Sequence, residues 1–136
     1  MSALEFKVNT AELAGNAFVV TVAGEVDMYT ARPLEQALEG VVGLGGTSVV
    51  LDLTEVSFID STLLSVLLRY RDRLNNLGGE LAIVTDDRRI RRTFEITGLD
   101  RIFTIEPRLA DAIRAVVGRS DGQAPSTFLD GQPAGA

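Results

Sequence analysis

The consecutive residues Asp60-Ser61-Thr62 stand directly before a leucine-rich stretch, and their hydroxyls and carboxylate are the groups in this sequence best placed to do chemistry. A helix opening there leaves backbone N–H groups without helical acceptors, at the end where the helix dipole favours negative charge. Read locally, Asp60 or Ser61 is a helix cap worth about 1 kcal/mol. A serine at that end is also a place where an added phosphate is tolerated by its own chain. Upstream, Gly24-Glu25-Val26-Asp27 interrupts an apolar run; Glu25 and Asp27 read either as a loop acid and a helix cap or as acidic contacts for a basic partner. Asp86 and Asp87 read as a turn and a cap rather than a hydrolytic pair. Arg88, Arg89, Arg91 and Arg92 have no aromatic residues interleaved and read as solvated helix surface. Gly43 to Gly46 lacks the lysine and following hydroxyl of a phosphate-binding loop, so no nucleotide site is assigned.

Composition narrows the chemistry further. The 136 residues contain neither cysteine nor histidine, which excludes disulfides, thiolate and imidazole metal ligands, and the commonest general base near neutral pH. No catalytic residue, metal or cofactor is expected, and the chain is read as a non-enzyme. A net charge of -6, from 19 acidic against 13 basic residues, disfavours a nucleic-acid backbone and favours a protein partner. With 46% apolar residues the chain can build one domain with a real core. Met1 to Asn9 carries no basic leader, and no apolar run approaches the roughly 20 residues that span a bilayer. A cytoplasmic protein is expected.

The elements that must position Asp60-Ser61-Thr62 follow from periodicity. Leu4 to Val8 and Phe18 to Ala23 alternate as two strands joined at Ala14-Gly15-Asn16, a hairpin. Thr30, with Asp27 as rival, caps a helix carrying Leu34, Leu38 and Val41. Val49 to Leu53 is a nearly continuous apolar run, as in a strand covered on both faces, with a turn at Thr54-Glu55. Leu63, Leu67, Tyr70, Leu74 and Leu77 then step along one helical stripe, which places Tyr70 in the core with a hydrogen-bonded hydroxyl. Leu81 to Val84 is a further strand, Asp86 or Asp87 caps a helix through Ile90 and Phe94, and Ile102 to Ile105 is a last strand. Pro107 sits at the first turn of a final helix with Leu109, Ile113 and Val116. This alternation gives an α/β fold: a mixed, mostly parallel sheet with an N-terminal antiparallel hairpin strand and helices mainly on one face. The domain is placed at 1–117. Residues 118–136, poor in apolar side chains apart from Phe128-Leu129, are expected to be a flexible tail.

Several stretches in order resemble the STAS domains of anti-sigma factor antagonists: Gly24 to Asp27, Val49 through Thr62 with its leucine-rich helix and Gly78-Gly79, Leu81 to Val84, and Phe94 to Leu99. The resemblance implies partner switching. Such proteins, when unphosphorylated, bind an anti-sigma factor that is also a serine kinase of the histidine-kinase-like ATPase fold, and so release its sigma factor. It implies phosphorylation at Ser61, a phosphatase that resets it, and a partner-binding surface of Glu25, Asp27, Thr30, Asp60, Thr62, Leu63 and Leu64. The family has glycine then leucine where this chain has Leu63-Leu64. That departure is expected to place a side chain toward the partner, and it motivates the alternative of a non-phosphorylated STAS scaffold in a larger signalling complex.

Overall fold

The computed structural model describes residues 5–122. Its elements are β1 (Lys7–Glu12), β2 (Ala17–Val26), α1 (Ala31–Gly43), β3 (Ser48–Ile59), α2 (Ser61–Asn76), β4 (Leu81–Val84), α3 (Arg88–Ile96), a 3-10 turn (Leu99–Arg101), β5 (Thr104–Glu106) and α4 (Leu109–Gly122). One five-stranded sheet runs in the order β1-β2-β3-β4-β5, antiparallel for β1 and β2 and parallel thereafter. Because β2, β3 and β4 are parallel, the helices that follow them, α1, α2 and α3, all begin at the same edge of the sheet.

Strand alternation sorts the side chains into two cores. Phe18, Val20 and Val22 of β2, Val49, Leu51 and Leu53 of β3, and Leu81 and Ile83 of β4 face α1, α2 and α3. Ala17, Val19, Val50, Ala82 and Val84 face Ala112 and Val116 of α4 alone. The three-helix face is therefore the larger, as the sequence pattern predicts. Phe94 and Phe103 close its far end edge to face, with ring centroids 6.2 Å apart.

Several boundaries differ from the sequence reading, among them β2, which runs on through Gly24-Glu25-Val26 where a break was expected, and β5, which is Thr104–Glu106 rather than Ile102 to Ile105. β1 starts and ends later than Leu4 to Val8, because antiparallel pairing from Lys7 with Ala23 to Glu12 with Phe18 uses the main chain and needs no apolar run. The expected turn at Thr54-Glu55 is instead part of β3, which carries two extra residues relative to β2. The first irregularity is stabilised where the buried Asp52 carboxylate accepts the Thr54 N–H at 3.0 Å. Beside the second lies Gly24, whose φ of 97° suits glycine. Pro107 precedes α4 rather than lying in its first turn. The boundary placed after 117 falls within α4, whose backbone helix continues to Gly122; positions 123–136, with Phe128-Leu129, lie outside the described residues.

Gly79 has a specific packing reason. A Cβ there would lie 1.7 Å from the Thr47 carbonyl oxygen, so the loop after α2 passes against the loop before β3 with no room for a side chain. Gly40, in mid α1, has open space where its Cβ would be. G79A is therefore expected to destabilise the fold by about 2 kcal/mol or more. G40A is expected to stabilise it by about 0.5–1 kcal/mol. Urea denaturation of the two variants checks both signs.

Candidate functional site: an exposed serine at the start of α2

Parallel pairing of β2 and β3 persists to Val26 and Ile59, and the Asp60 N–H then donates to the Val26 carbonyl at 3.2 Å. This brings the start of α2 beside the segment leading into α1. Asp60, in extended conformation, is the N-cap of α2: its Oδ1 accepts the Thr62 N–H at 2.8 Å, and its carbonyl accepts the Leu63 N–H at 3.1 Å. Ser61 is the first helical residue, is exposed, and its hydroxyl makes no hydrogen bond among the described residues. The alternatives for the cap are thus resolved in favour of Asp60, leaving the Ser61 hydroxyl without a structural task.

The segment entering α1 is held by a reciprocal pair of bonds. Asp27 Oδ1 accepts the N–H groups of Tyr29 at 2.9 Å and Thr30 at 3.1 Å, while Thr30 Oγ1 accepts the Asp27 N–H at 2.9 Å. The Thr30 hydroxyl also donates to the Glu25 carbonyl at 2.8 Å. Since the Asp27 carbonyl accepts the Ala31 N–H at 2.8 Å, Asp27 caps the turn that leads into α1, with Thr30 closing the box. Thr30 occupies the position directly before α1, but its side chain makes no cap bond of its own to the helix. The N–H groups of Thr30 and Tyr29 hold the Asp27 carboxyl below the usual carboxylate range. Asp87, not Asp86, caps α3, through Arg89 N–H at 2.8 Å and Ile90 N–H at 3.3 Å.

Holding this segment in a tight box presents Met28 and Tyr29 outward, 66% and 82% exposed, and Phe58 is 49% exposed beside Glu25, its partner in register. Ser61 shares a cleft of about 360 Å³ between α1 and α2 with Met28, Arg32, Thr62, Ser65 and Arg69. A second groove of about 440 Å³ continues along the same helix pair, past Glu35, Glu39 and Tyr70. Arg69 pairs with Glu35 and Arg73 with Glu39, bridging the two helices. Tyr70 is buried and donates to Glu39 at 2.5 Å; burial, with that bond added, pushes its hydroxyl up to about 12. The expectation of a core tyrosine with a satisfied hydroxyl therefore holds.

Of the expected partner-facing residues, Glu25, Asp27, Thr30, Asp60 and Thr62 gather around Ser61 at this edge, each exposed or half-buried. Leu63 does not. It is fully buried in the larger core with Val66, Leu67, Tyr70 and Leu74, so it cannot meet a partner. Its position on the apolar stripe decides this, and the departure from glycine no longer speaks for a constitutive scaffold. Leu64 is half-buried and packs against the same core. Leu77 leaves the stripe, 49% exposed after the end of α2. Met28 and Tyr29 lie within the Glu25 to Thr30 segment expected to face a partner, though neither was named individually, while Phe58, Arg32 and Ser65 belong to the edge but were not singled out from sequence. Met28 and Tyr29 were detectable in principle, as two large apolar residues inside a capping segment where no helical or strand period assigns them to a core.

Sheet and edge together define a small α/β domain with an exposed edge at the starts of α1 and α2. It presents the exposed, unbonded Ser61 hydroxyl at a helix start, in a cleft lined by Met28, Ala31 and Val66 and by the polar side chains of Arg32, Glu35, Thr62, Ser65 and Arg69. A family model for the STAS domain matches residues 8–112, and the chain belongs to that family. The anti-sigma-B factor antagonist of Listeria monocytogenes is 41% identical over 87 residues, covering 64% of this chain and 76% of that protein. The anti-sigma-F factor antagonist RsfB of Mycobacterium tuberculosis is 32% identical over 100 residues, covering 74% and 81%. The crystal structure of an anti-sigma factor antagonist from Mycobacterium paratuberculosis superposes with a TM-score of 0.74 at 36% identity, covering 83% of this chain and 95% of that one. Among the described residues no helix is long and apolar enough to cross a membrane.

The depressed Asp27 carboxyl sets a pH dependence. Its contribution to stability is fully present above the ordinary carboxylate value, about 3.9, and is lost as pH falls through the lower folded-state value. D27N keeps an acceptor for the box but cannot titrate. Urea denaturation at stepped pH is expected to show a shallower loss of stability below about pH 4 in D27N than in the wild type.

Proposed function

We propose that this protein is an anti-sigma factor antagonist acting by partner switching in the cytoplasm. With Ser61 unmodified, the edge formed by Asp27 to Thr30, Asp60 and Ser61 docks an anti-sigma factor. That partner is a serine kinase of the histidine-kinase-like ATPase fold, and docking frees its sigma factor. The kinase transfers the γ-phosphoryl group of ATP to Ser61 Oγ: the Oγ–P bond forms, the bond to the ADP leaving group breaks, and the hydroxyl proton passes to a base on the kinase. A phosphatase hydrolyses the ester and restores the binding form. The observation that carries this reading is that Ser61 is exposed and unbonded while its neighbour Asp60 performs the capping.

A phosphate adds about 1.5 to 2 negative charges at neutral pH. At the start of α2 it meets the positive end of the helix dipole, so the fold tolerates it. A docked partner instead meets a desolvated charge for which its surface was not built, a change of a few kcal/mol in affinity. Met28 and Tyr29 supply the apolar anchors of the same face, and anchors of this kind dominate binding energy.

Incubation with the cognate kinase and ATP is expected to give a single phosphate adduct by intact mass, absent in S61A; an adduct that survives S61A contradicts the assignment. S61D is expected to weaken kinase binding at least about tenfold. Its thermal midpoint should stay within about 2 °C of wild type. Equal loss of folding and binding would mark Ser61 as structural. Y29A is expected to cost about 1–3 kcal/mol of binding by calorimetry, with stability unchanged to within about 0.5 kcal/mol.

A further inference from the structure

The three arginines of α2 each have a carboxylate partner: Arg69 with Glu35, Arg73 with Glu39, and Arg71 with Asp72 at 3.4 Å. Arg32 has none among the described residues, although it lines both grooves between α1 and α2. It is the second residue of α1, whose first turn holds no acid, and the carboxylates near it, Asp27 before the helix and Glu35 one turn on, are engaged by the Tyr29 and Thr30 N–H groups and by Arg69. Arg88, at the first position of α3, is likewise without a carboxylate partner among the described residues, so what sets Arg32 apart is the cleft it lines. The cleft it lines is the one that holds Ser61, together with the side chains of Thr62 and Ser65.

We propose that Arg32 is the intramolecular ligand of the phosphoryl group on Ser61, a role that rests on the reading of Ser61 as a phosphoacceptor. Two guanidiniums, Arg32 and Arg69, face this cleft against one carboxylate, Glu35, and Arg69 is already committed to Glu35. Arg32 is therefore the cation available. Its planar fork matches two phosphate oxygens, and the pair formed is a charge-assisted bidentate one. Closing it ties the start of α1 to the start of α2 and fills the space beside Met28. The kinase then meets an occupied cleft whose cation has been withdrawn, in addition to a new negative charge. Switching thus acts on shape and charge together while the cores stay as they are.

The test uses the full chain with phosphoserine installed at position 61 during translation, so that no kinase is needed, and follows the phosphate by 31P NMR titration. The second ionisation of phosphoserine lies near 6 in an unfolded chain. In the folded wild type it is expected about half a unit or more lower, because a facing cation favours the dianion. R32Q is expected to return toward the unfolded value, and R32K to fall between. R101Q, whose arginine lies outside the cleft, is expected to titrate as the wild type does. R32Q curves superimposing on wild type would overturn the assignment, as would an equal displacement by R101Q. The two readings fail separately: a missing mass adduct with the kinase counts against Ser61 as its substrate, whereas an unmoved titration counts against Arg32.

Discussion

The hydrogen bond from the Asp60 N–H to the Val26 carbonyl, at the end of the β2–β3 ladder, is the constraint on which the functional edge depends. It fixes the start of α2 next to the segment that begins α1. Two extra residues in β3 make this possible, because they allow a longer strand to finish level with β2. Without that match Ser61 and the Asp27–Thr30 box would lie at different heights of the sheet. The Ser61–Arg32 cleft exists only because the two helices start side by side.

The division of labour at the start of α2 is what suits Ser61 to the proposed switch. Asp60 satisfies the orphan N–H of Thr62, and Leu63, Val66, Leu67, Tyr70 and Leu74 bury the inner face. Each such side chain contributes about 1.5–3 kcal/mol on burial. A charge at an exposed helix start perturbs its own chain by about 1 kcal/mol or less. The host helix is therefore held by roughly ten times what the proposed modification would apply to it, while a partner whose affinity turns on a few kcal/mol would be displaced. The Arg69–Glu35 and Arg73–Glu39 bridges add definition to the groove between α1 and α2 more than stability, since all four side chains reach solvent.

Much of this architecture was legible from residue order. Apolar runs at Val49 to Leu53 and Leu81 to Val84 are buried on both faces, and the period of α2 correctly places Tyr70 inside. Asp60 and Asp87 are caps because carboxylates directly before helical runs have few other uses. Where the reading missed, a longer-range effect decided. The bulges in β3 look like a turn in one dimension, since Thr54-Glu55 interrupts the apolar pattern, yet the chain stays paired to β2. Leu63 was assigned to the partner face through a family comparison while its own helical period assigned it to the core, and the core prevailed. Arg32 was not singled out because what distinguishes it is spatial: it faces the Ser61 cleft, where the one carboxylate, Glu35, is paired with Arg69.

The central claim is that charge on Ser61 is absorbed at the edge and not by the fold. Its most direct measurement is an amide 1H–15N map of the full chain with and without phosphoserine at position 61. Shift changes are expected to be confined to residues 25–35 and 60–69, with core amides such as Leu51 and Ile83 unmoved. Changes spreading through the β3 and β4 core, or collapse of the spectral dispersion, would contradict it.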